Sequence, residues 1–242
     1  MAGLDWLIAR PIAHRGLHDE ARGIVENTPS AMSAAVDANY AIEVDLHITA
    51  DGEAMVYHDA TLGRITDGEG RLDAMTASHL KLVTFRKTPD RMMTLSDLLG
   101  LVGGRVALFI ELKSHFDRDA RLPRRVAQVL QSYAGPVAVM SFDPYQMEAM
   151  RDLAPGLPRG IDAERGGAGD GAVAGSLEYL VHCVRSRPHF ISYRVNDLPA
   201  PLPLLARYLL RMPLLAWTVR NEDERRRAAR FADQIFFEGF LP

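Results

Sequence analysis

The sequence of 242 residues has little cysteine and no excess of either charge. Its single cysteine, Cys183, excludes an internal disulfide framework and a cysteine-rich zinc or iron–sulfur site. The 28 Lys and Arg residues stand against 31 Asp and Glu residues, which gives a formal net charge of −3. This near-neutral balance argues against a protein that binds nucleic acid mainly through charge.

Long apolar runs are also missing. A membrane-spanning helix needs about 20 apolar residues, and the most apolar stretch, residues 201–217, is interrupted by two arginines and a proline. We interpret this stretch as a helix docked on a sheet followed by a buried strand, with contact to a membrane surface as the alternative. The N-terminal segment carries Asp5 and Arg10 and does not resemble a secretory signal. The sequence therefore predicts a cytoplasmic protein without stable membrane insertion.

What the sequence does contain is an alternation of strand-like and helix-like segments. Short apolar runs predict strands at residues 12–15, 41–48, 54–58, 106–113, 137–142, 159–162, 190–195, 214–219 and 234–238. Helical spacing predicts helices at residues 30–39, 117–133, 144–153, 202–211 and 222–231. Such alternation implies parallel strands with crossover helices, and about eight strands favour an α/β fold of the closed (β/α)8 TIM barrel type. The ninth candidate is then an accessory strand or a false assignment.

Two segments depart from this alternation. Residues 59–105 show little periodicity and predict an excursion beyond the barrel. Residues 165–176 are rich in glycine and predict a flexible loop. On the carboxyl face of a barrel, such a loop is either a plain surface connection or a mobile rim of the active site.

Acidic side chains alternate with apolar ones along the second predicted strand. Glu43, Asp45 and His47 share one face of it, and neighbouring acids on such a face lie about 6–7 Å apart. Carboxylates that close inside a barrel repel each other unless a cation or a proton lies between them. Glu111 and Lys113 repeat the pattern on the fourth predicted strand. Converging carboxylates without cysteine are typical of a site for Mg²⁺ or Ca²⁺, and the alternative is an exposed strand with surface acids.

Two histidines end apolar runs. His14 closes the first predicted strand and His58 the third, so both are expected at the catalytic rim of a barrel. Arg15 and Lys113 are available nearby for an anion. A lone histidine at a strand end is usually structural, whereas two beside a carboxylate cluster indicate acid–base chemistry. Of the remaining histidines, His47 comes closest to a ligand position.

The order of seven motifs resembles that of the glycerophosphodiester phosphodiesterase family. The motifs are His14-Arg15-Gly16, Glu26-Asn27-Thr28, Glu43-Val44-Asp45, Thr49-Ala50-Asp51-Gly52, His58-Asp59, Glu111-Leu112-Lys113 and Trp217-Thr218-Val219, and Ser141-Phe142-Asp143 also fits. The resemblance implies one barrel domain over residues 1–242, with a small insertion at about residues 60–105. It also implies a phosphoric diester hydrolase that acts on a small glycerophosphodiester with one divalent cation as cofactor.

The resemblance further implies a role for each of eight residues. These are metal ligation by Glu43, Asp45 and Glu111, acid–base catalysis by His14 and His58, phosphate binding by Arg15 and Lys113, and lining of the substrate site by Trp217. The chain departs from the family pattern at Val25, which replaces a proline, and at residues 236–240, where Glu238 takes the acidic position of a usual Thr-Asp pair. The second departure leaves the lower pocket and the leaving alcohol open.

The predicted reaction is hydrolysis of a glycerophosphodiester to sn-glycerol 3-phosphate and an alcohol. Either histidine can be the acid, and either water or a neighbouring glycerol hydroxyl can be the nucleophile. One alternative is a lysophospholipase D-type lipid phosphodiesterase on the same fold, in which residues 201–217, Phe116, Phe142 and Tyr145 serve an acyl chain. The other is a catalytically silent binding protein, which predicts a damaged motif, whereas every expected acid, histidine and lysine is present.

Overall fold

The computed structural model describes residues 3–165 and 177–242. Within these ranges one sheet contains nine strands, namely β1 (Ile12–Ala13), β2 (Ala41–Ile48), β3 (Ala54–Val56), β4 (Leu108–Leu112), β5 (Val137–Ser141), β6 (Arg159–Ala163), β7 (Phe190–Arg194), β8 (Leu214–Val219) and β9 (Gln234–Phe237). β1 pairs in parallel with both β2 and β9, so eight parallel strands close into a barrel. The predicted TIM barrel is confirmed, and β3, which pairs antiparallel with β2, is the accessory strand.

Helices connect the strands. In the described part of the chain they are α1 (Pro29–Asp37), α2 (Ala77–Leu80), α3 (Leu95–Val102), α4 (Arg121–Leu130), α5 (Pro144–Leu153), α6 (Leu177–Ser186), α7 (Pro201–Leu209) and α8 (Glu222–Phe231). Five of them overlap the predicted helices, whereas α2, α3 and α6 lie outside the predicted set. Among the described residues, no helix combines the length and apolarity needed to cross a membrane.

Helix starts follow from local hydrogen bonding. The Asp143 carboxylate accepts a bond from a backbone N–H of α5, which begins with a proline, and Asn221 does the same for α8. α3 begins with a capping box between Thr94 and Asp97 and ends at Gly103, which adopts a left-handed conformation. These side chains pair backbone groups that a helix end leaves free, which fixes where α3, α5 and α8 begin.

The barrel has an outer and an inner apolar core. Ile42, Val44 and Leu46 of β2 pack into the outer core between the strands and the helices, which confirms the predicted alternation along this strand. Inside the barrel, Phe109 packs edge-on against Phe190 and Phe236 at centroid distances of 5.9 and 5.7 Å. These rings close the barrel near the amino ends of β4 and β7 and leave the carboxyl end for polar side chains.

The chain between β3 and β4 contains α2 and α3. Part of it packs around a second apolar cluster that includes the buried residues Tyr57, Leu72, Leu80 and Phe85. This cluster involves only the first part of the segment, whereas Leu95, Leu98 and Val102 of α3 pack into the outer core of the barrel. The insertion at about residues 60–105 stays a prediction. The predicted glycine-rich loop falls, after its first residue, on residues 166–176, which lie outside the described residues.

Candidate active site

Three buried carboxylates converge inside the barrel. Glu43 and Asp45 extend from β2, and Glu111 extends from β4 opposite Asp45 in the parallel register. Each offers one carboxylate oxygen, and these three oxygens lie within 4.8 Å of one another. Burial, together with the charge of Asp45, raises the pKa of Glu43 well above its ordinary range. The sequence therefore places the three acids on the correct face, and strand pairing brings them together.

Lys113 supplies a positive charge to this cluster. Its Nζ lies 2.8 Å from Oδ1 of Asp45 and 2.7 Å from Oε1 of Glu111. Although burial opposes the charge, these two carboxylates raise the pKa of Lys113 above its ordinary value. Burial likewise opposes the charge of Asp45, but Lys113 and other cations hold the pKa of that carboxyl well below its usual range. The lysine therefore stays an ammonium ion within the cavity.

The cluster suits a hard divalent cation. All its donors are carboxylate oxygens, which Mg²⁺ and Ca²⁺ prefer. Oε1 of Glu43 is buried and has no hydrogen-bond partner among residues 3–165 and 177–242. A buried carboxylate oxygen without a partner is costly, and a bound cation would remove that cost.

Arg15 lies two residues after β1 and faces the same carboxylates. Its backbone adopts a positive φ of 57°, and its N–H donates to Oε2 of Glu43 at 2.8 Å. The guanidinium donates to Oε1 of Glu26 at 3.0 Å. The next residue, Gly16, has a φ of 82°, and a Cβ there would lie 2.9 Å from Ala31. Only glycine fits this turn, which aims Arg15 into the barrel.

Asn27 and Glu26 support the site in ways that the sequence does not reveal. Asn27 is fully buried, and its Nδ2 donates to Oδ2 of Asp45 at 2.8 Å. Glu26 accepts from Arg15 and also from Arg64 at 2.5 Å. Both lie in a motif that carries the family resemblance, but they occupy a loop, where no periodicity indicates the direction of a side chain. Their function is to orient the arginine and the aspartate.

His14 is held by a residue from the other end of the chain. Its Nδ1 donates to Oε2 of Glu238 at 2.5 Å, so Nε2, 3.9 Å from Glu43, is left for a substrate. Burial lowers the pKa of His14, and the bond to Glu238 offsets part of this effect. Burial raises the pKa of Glu238, but the bond from His14 and the neighbouring His18 and Arg220 outweigh it, so that pKa lies well below its ordinary value.

His58 reaches the site by a different route from the one predicted. The prediction placed it at the carboxyl end of a barrel strand, whereas β3 runs back along β2. The N–H of Tyr57 donates to the carbonyl of Asp45 at 3.0 Å, which fixes His58 at the level of the carboxylates. Nδ1 of His58 donates to Asp59 at 2.7 Å. Burial lowers the pKa of His58, and Asp45 partly offsets that shift.

His47 contributes to this arrangement without joining the carboxylate cluster. Its Nε2 donates to the carbonyl oxygen of His58 at 2.9 Å, so it holds the segment that carries the second histidine. Burial lowers the pKa of His47 to about 4 and keeps the ring neutral.

A cavity of about 360 Å³ opens above these groups. Seven of the eight predicted site residues line it, namely His14, Arg15, Glu43, His58, Glu111, Lys113 and Trp217. The eighth, Asp45, is fully buried. The Trp217 ring packs edge-on against Phe142 at 5.4 Å, and both rings line the cavity. Between these two rings, β6 and β7 contribute Asp162 and Ser192 to the cavity wall, which sequence reasoning did not single out.

The barrel and its cavity define a class of protein: a TIM barrel with a buried carboxylate cluster flanked by histidines and cations. The model of the glycerophosphoryl diester phosphodiesterase family matches residues 14–235. The chain therefore belongs to this family, as the order of its motifs predicts.

Individual relatives agree with this assignment. A glycerophosphodiester phosphodiesterase from Caldanaerobacter subterraneus subsp. tengcongensis is 29% identical over 160 residues, which cover 62% of this chain and 65% of the relative, just under two thirds of its length. A phosphodiesterase from Oleispira antarctica, solved in complex with the product sn-glycerol-3-phosphate, has a TM-score of 0.78 at 18% identity and covers 96% of this chain and 93% of its own. A glycerophosphodiester phosphodiesterase from Thermotoga maritima has a TM-score of 0.72 at 20% identity, and the match covers 93% of this chain and 92% of that chain. These two structures share the fold of this chain.

Proposed function

We propose that this protein is a phosphoric diester hydrolase that converts glycerophosphodiesters to sn-glycerol 3-phosphate and an alcohol. The observation that carries the proposal is the convergence of Glu43, Asp45 and Glu111 within 4.8 Å, in a barrel whose cavity also exposes His14 and His58. Family membership supports the reaction class, and the relative solved with sn-glycerol-3-phosphate supports the product.

The three carboxylates would hold one Mg²⁺ or Ca²⁺. When bound, such a cation stabilises the negative charge that develops on the phosphoryl oxygens. Arg15 and Lys113 would contribute in the same direction, because both are cations that line the cavity beside the cluster. The guanidinium is already oriented by Glu26, so it reaches the phosphate without reorganisation.

His14 and His58 would perform the two proton transfers. One imidazole accepts the proton of the attacking hydroxyl, and the other donates a proton to the departing alkoxide. Glu238 and Asp59 each accept a bond from Nδ1 of one ring, so both rings have Nε2 available for the reacting atoms. Burial lowers the pKa of both rings, which favours the neutral form that the base needs. The ring that acts as the acid has to carry a proton on Nε2, and the carboxylate on its Nδ1, Glu238 or Asp59, stabilises that imidazolium.

The metal assignment is tested by assaying glycerophosphocholine with and without a chelator. We expect the chelator to abolish release of sn-glycerol 3-phosphate, and Mg²⁺ or Ca²⁺ to restore it. Full activity in excess chelator would contradict the proposed cofactor.

The acid–base assignment is tested by His14→Ala and His58→Ala. Each should lower kcat by about 10²–10⁴-fold, the usual contribution of one acid–base group. His79→Ala, which changes an exposed histidine, is the matched control and should keep the rate of the unaltered enzyme. A normal rate for either of the first two variants removes that residue from the mechanism.

A further inference from the structure

The wall formed by β6 and β7 is built in layers. At its base, Gly160 lies opposite Phe190 in the parallel register, and a Cβ on the glycine would approach the phenyl ring to 2.2 Å. One layer higher, Asp162 lies opposite Ser192. The Phe190 ring therefore forms an apolar floor, with a pair of polar side chains directly above it.

The top layer of this wall is an ion pair at the rim. Arg194 lies 3.1 Å from Glu164, and both side chains line the cavity. Both side chains are partly exposed, so their polar atoms bond to solvent as well as to each other. The layer below has no such access to solvent.

Asp162 and Ser192 are neighbouring buried side chains, and each carries one polar atom that no hydrogen bond of good geometry satisfies in the described part of the chain. They are 2% and 1% exposed, and both line the cavity. Oδ2 of Asp162 and Oγ of Ser192 have no hydrogen-bond partner in the described part of the chain. Ser141, an equally buried serine of β5, differs because its hydroxyl donates to the carbonyl of Leu112 at 2.6 Å. Polar groups left unpaired in a cavity wall are typical of a site that a ligand completes.

We propose that Asp162 and Ser192 bind the terminal hydroxyl of the glycerol arm of the substrate, an inference that rests on the proposed function. A hydroxyl both donates and accepts, so one group can pair with the carboxyl oxygen and the serine hydroxyl together. The terminal hydroxyl is the part of this arm farthest from the phosphate, and Asp162 and Ser192 line the same cavity as Arg15 and Lys113, which would bind the phosphate. The head group then points toward the rim.

This arrangement selects against arms that lack the hydroxyl. A methyl group at this position would leave both buried partners unpaired, and sites built around a hydroxyl reject such analogues strongly. An acyl ester, as in a lysophospholipid, lacks the donor and has to pass the aromatic floor. The two residues therefore favour the deacylated diester over the lipid.

The test compares glycerophosphocholine with 2-hydroxypropyl phosphocholine, which lacks only the terminal hydroxyl. Choline release gives kcat/KM for both substrates with the cation present. We expect the unaltered enzyme to prefer glycerophosphocholine by about tenfold or more. Ser192→Ala and Asp162→Leu should lose most of this preference, measured as the ratio of the two kcat/KM values within each variant, whereas Ser192→Thr, which keeps a hydroxyl, should retain it.

Ser186→Ala is the matched control, because Ser186 is fully buried on α6 and donates to a carbonyl of its own helix. It should keep the substrate preference. Ser192→Ala is the smaller change, and this variant decides the question if Asp162→Leu does not fold.

The possible failures are distinguishable. If the unaltered enzyme cleaves both compounds equally, if it cleaves lysophosphatidylcholine as fast as glycerophosphocholine, or if Ser192→Ala keeps the full preference, the hydroxyl site is wrong while the proposed function stands. If neither cation supports cleavage of any glycerophosphodiester, the proposed function itself fails.

Discussion

Glu238 shows how one side chain links the end of the chain to its beginning. It lies directly after β9, accepts a bond from His14, lies 3.7 Å from Nε2 of His18 and forms an ion pair with Arg220 at 2.6 Å. A carboxylate with this set of partners stabilises the folded state as long as it is charged. It also fixes the tautomer of a histidine assigned to proton transfer.

Glu238→Gln should therefore lower stability in a manner that depends on pH. The folded-state pKa of Glu238 is depressed below 4.5, so its contribution is full above that pH and declines as the pH falls further. We expect a loss of roughly 1–3 kcal/mol in the free energy of unfolding at neutral pH, and a smaller loss in acid. Urea titrations at about pH 7 and about pH 4 would measure both.

The exposed Glu222→Gln is the control and should show no such pH dependence. A stability difference between Glu238→Gln and the unaltered protein that is the same at both pH values would mean that the charge of Glu238 contributes nothing.

At the level of single residues, the sequence predicts those side-chain positions that follow from the alternation along a strand. The alternation along β2 places Glu43 and Asp45 on the inner face, and the structure has them there. It does not predict Glu238 as the partner of His14, because the two are separated by 224 positions and only barrel closure brings them together. Asn27 is missed for a related reason, since its loop conformation depends on the barrel beneath it.

At the level of elements, β6 and β7 depend on a close contact between Gly160 and Phe190. Gly160→Ala should destabilise the fold by about 1–3 kcal/mol, because the new methyl group would meet the phenyl ring at 2.2 Å, and the ring is held by Phe109. Denaturant unfolding measures the loss. In the double variant with Phe190→Leu, the cost of Gly160→Ala should shrink, whereas equal costs in both backgrounds would show that the ring is not the obstacle.

There are physical reasons why the sequence did not predict three elements correctly. β3 reads as an ordinary strand because its three residues are all buried, and nothing local indicates that it pairs antiparallel with β2. α2 spans one turn and shows no period. In α6, the polar residue His182 is buried, and its Nδ1 lies 2.6 Å from Glu148 of α5. A polar pair inside a helix interface removes the signal that periodicity relies on.

At the level of the whole molecule, the three carboxylates concentrate negative charge on one side of the barrel. Glu43 and Asp45 belong to β2 and Glu111 to β4, and these strands pair along five residues. Burial and the mutual repulsion of the acids raise the pKa of Glu43, so holding these acids together in the charged form lowers the stability of the folded state. A cation bound between the two strands would contact carboxylates of both and would offset this loss of stability.

Divalent cations should therefore stabilise the protein in the absence of substrate. A ligand that binds only the folded state adds about 2.7 kcal/mol at a concentration 100 times its Kd, so Tm should rise with Mg²⁺ or Ca²⁺ and fall again with a chelator. Glu111→Gln removes one of the three charged donors and should lose most of this rise, whereas Glu222→Gln should keep it. Equal increases in Tm for Glu111→Gln and the unaltered protein would place the stabilising cation elsewhere, because a site built on these two strands cannot lose a carboxylate and keep its affinity.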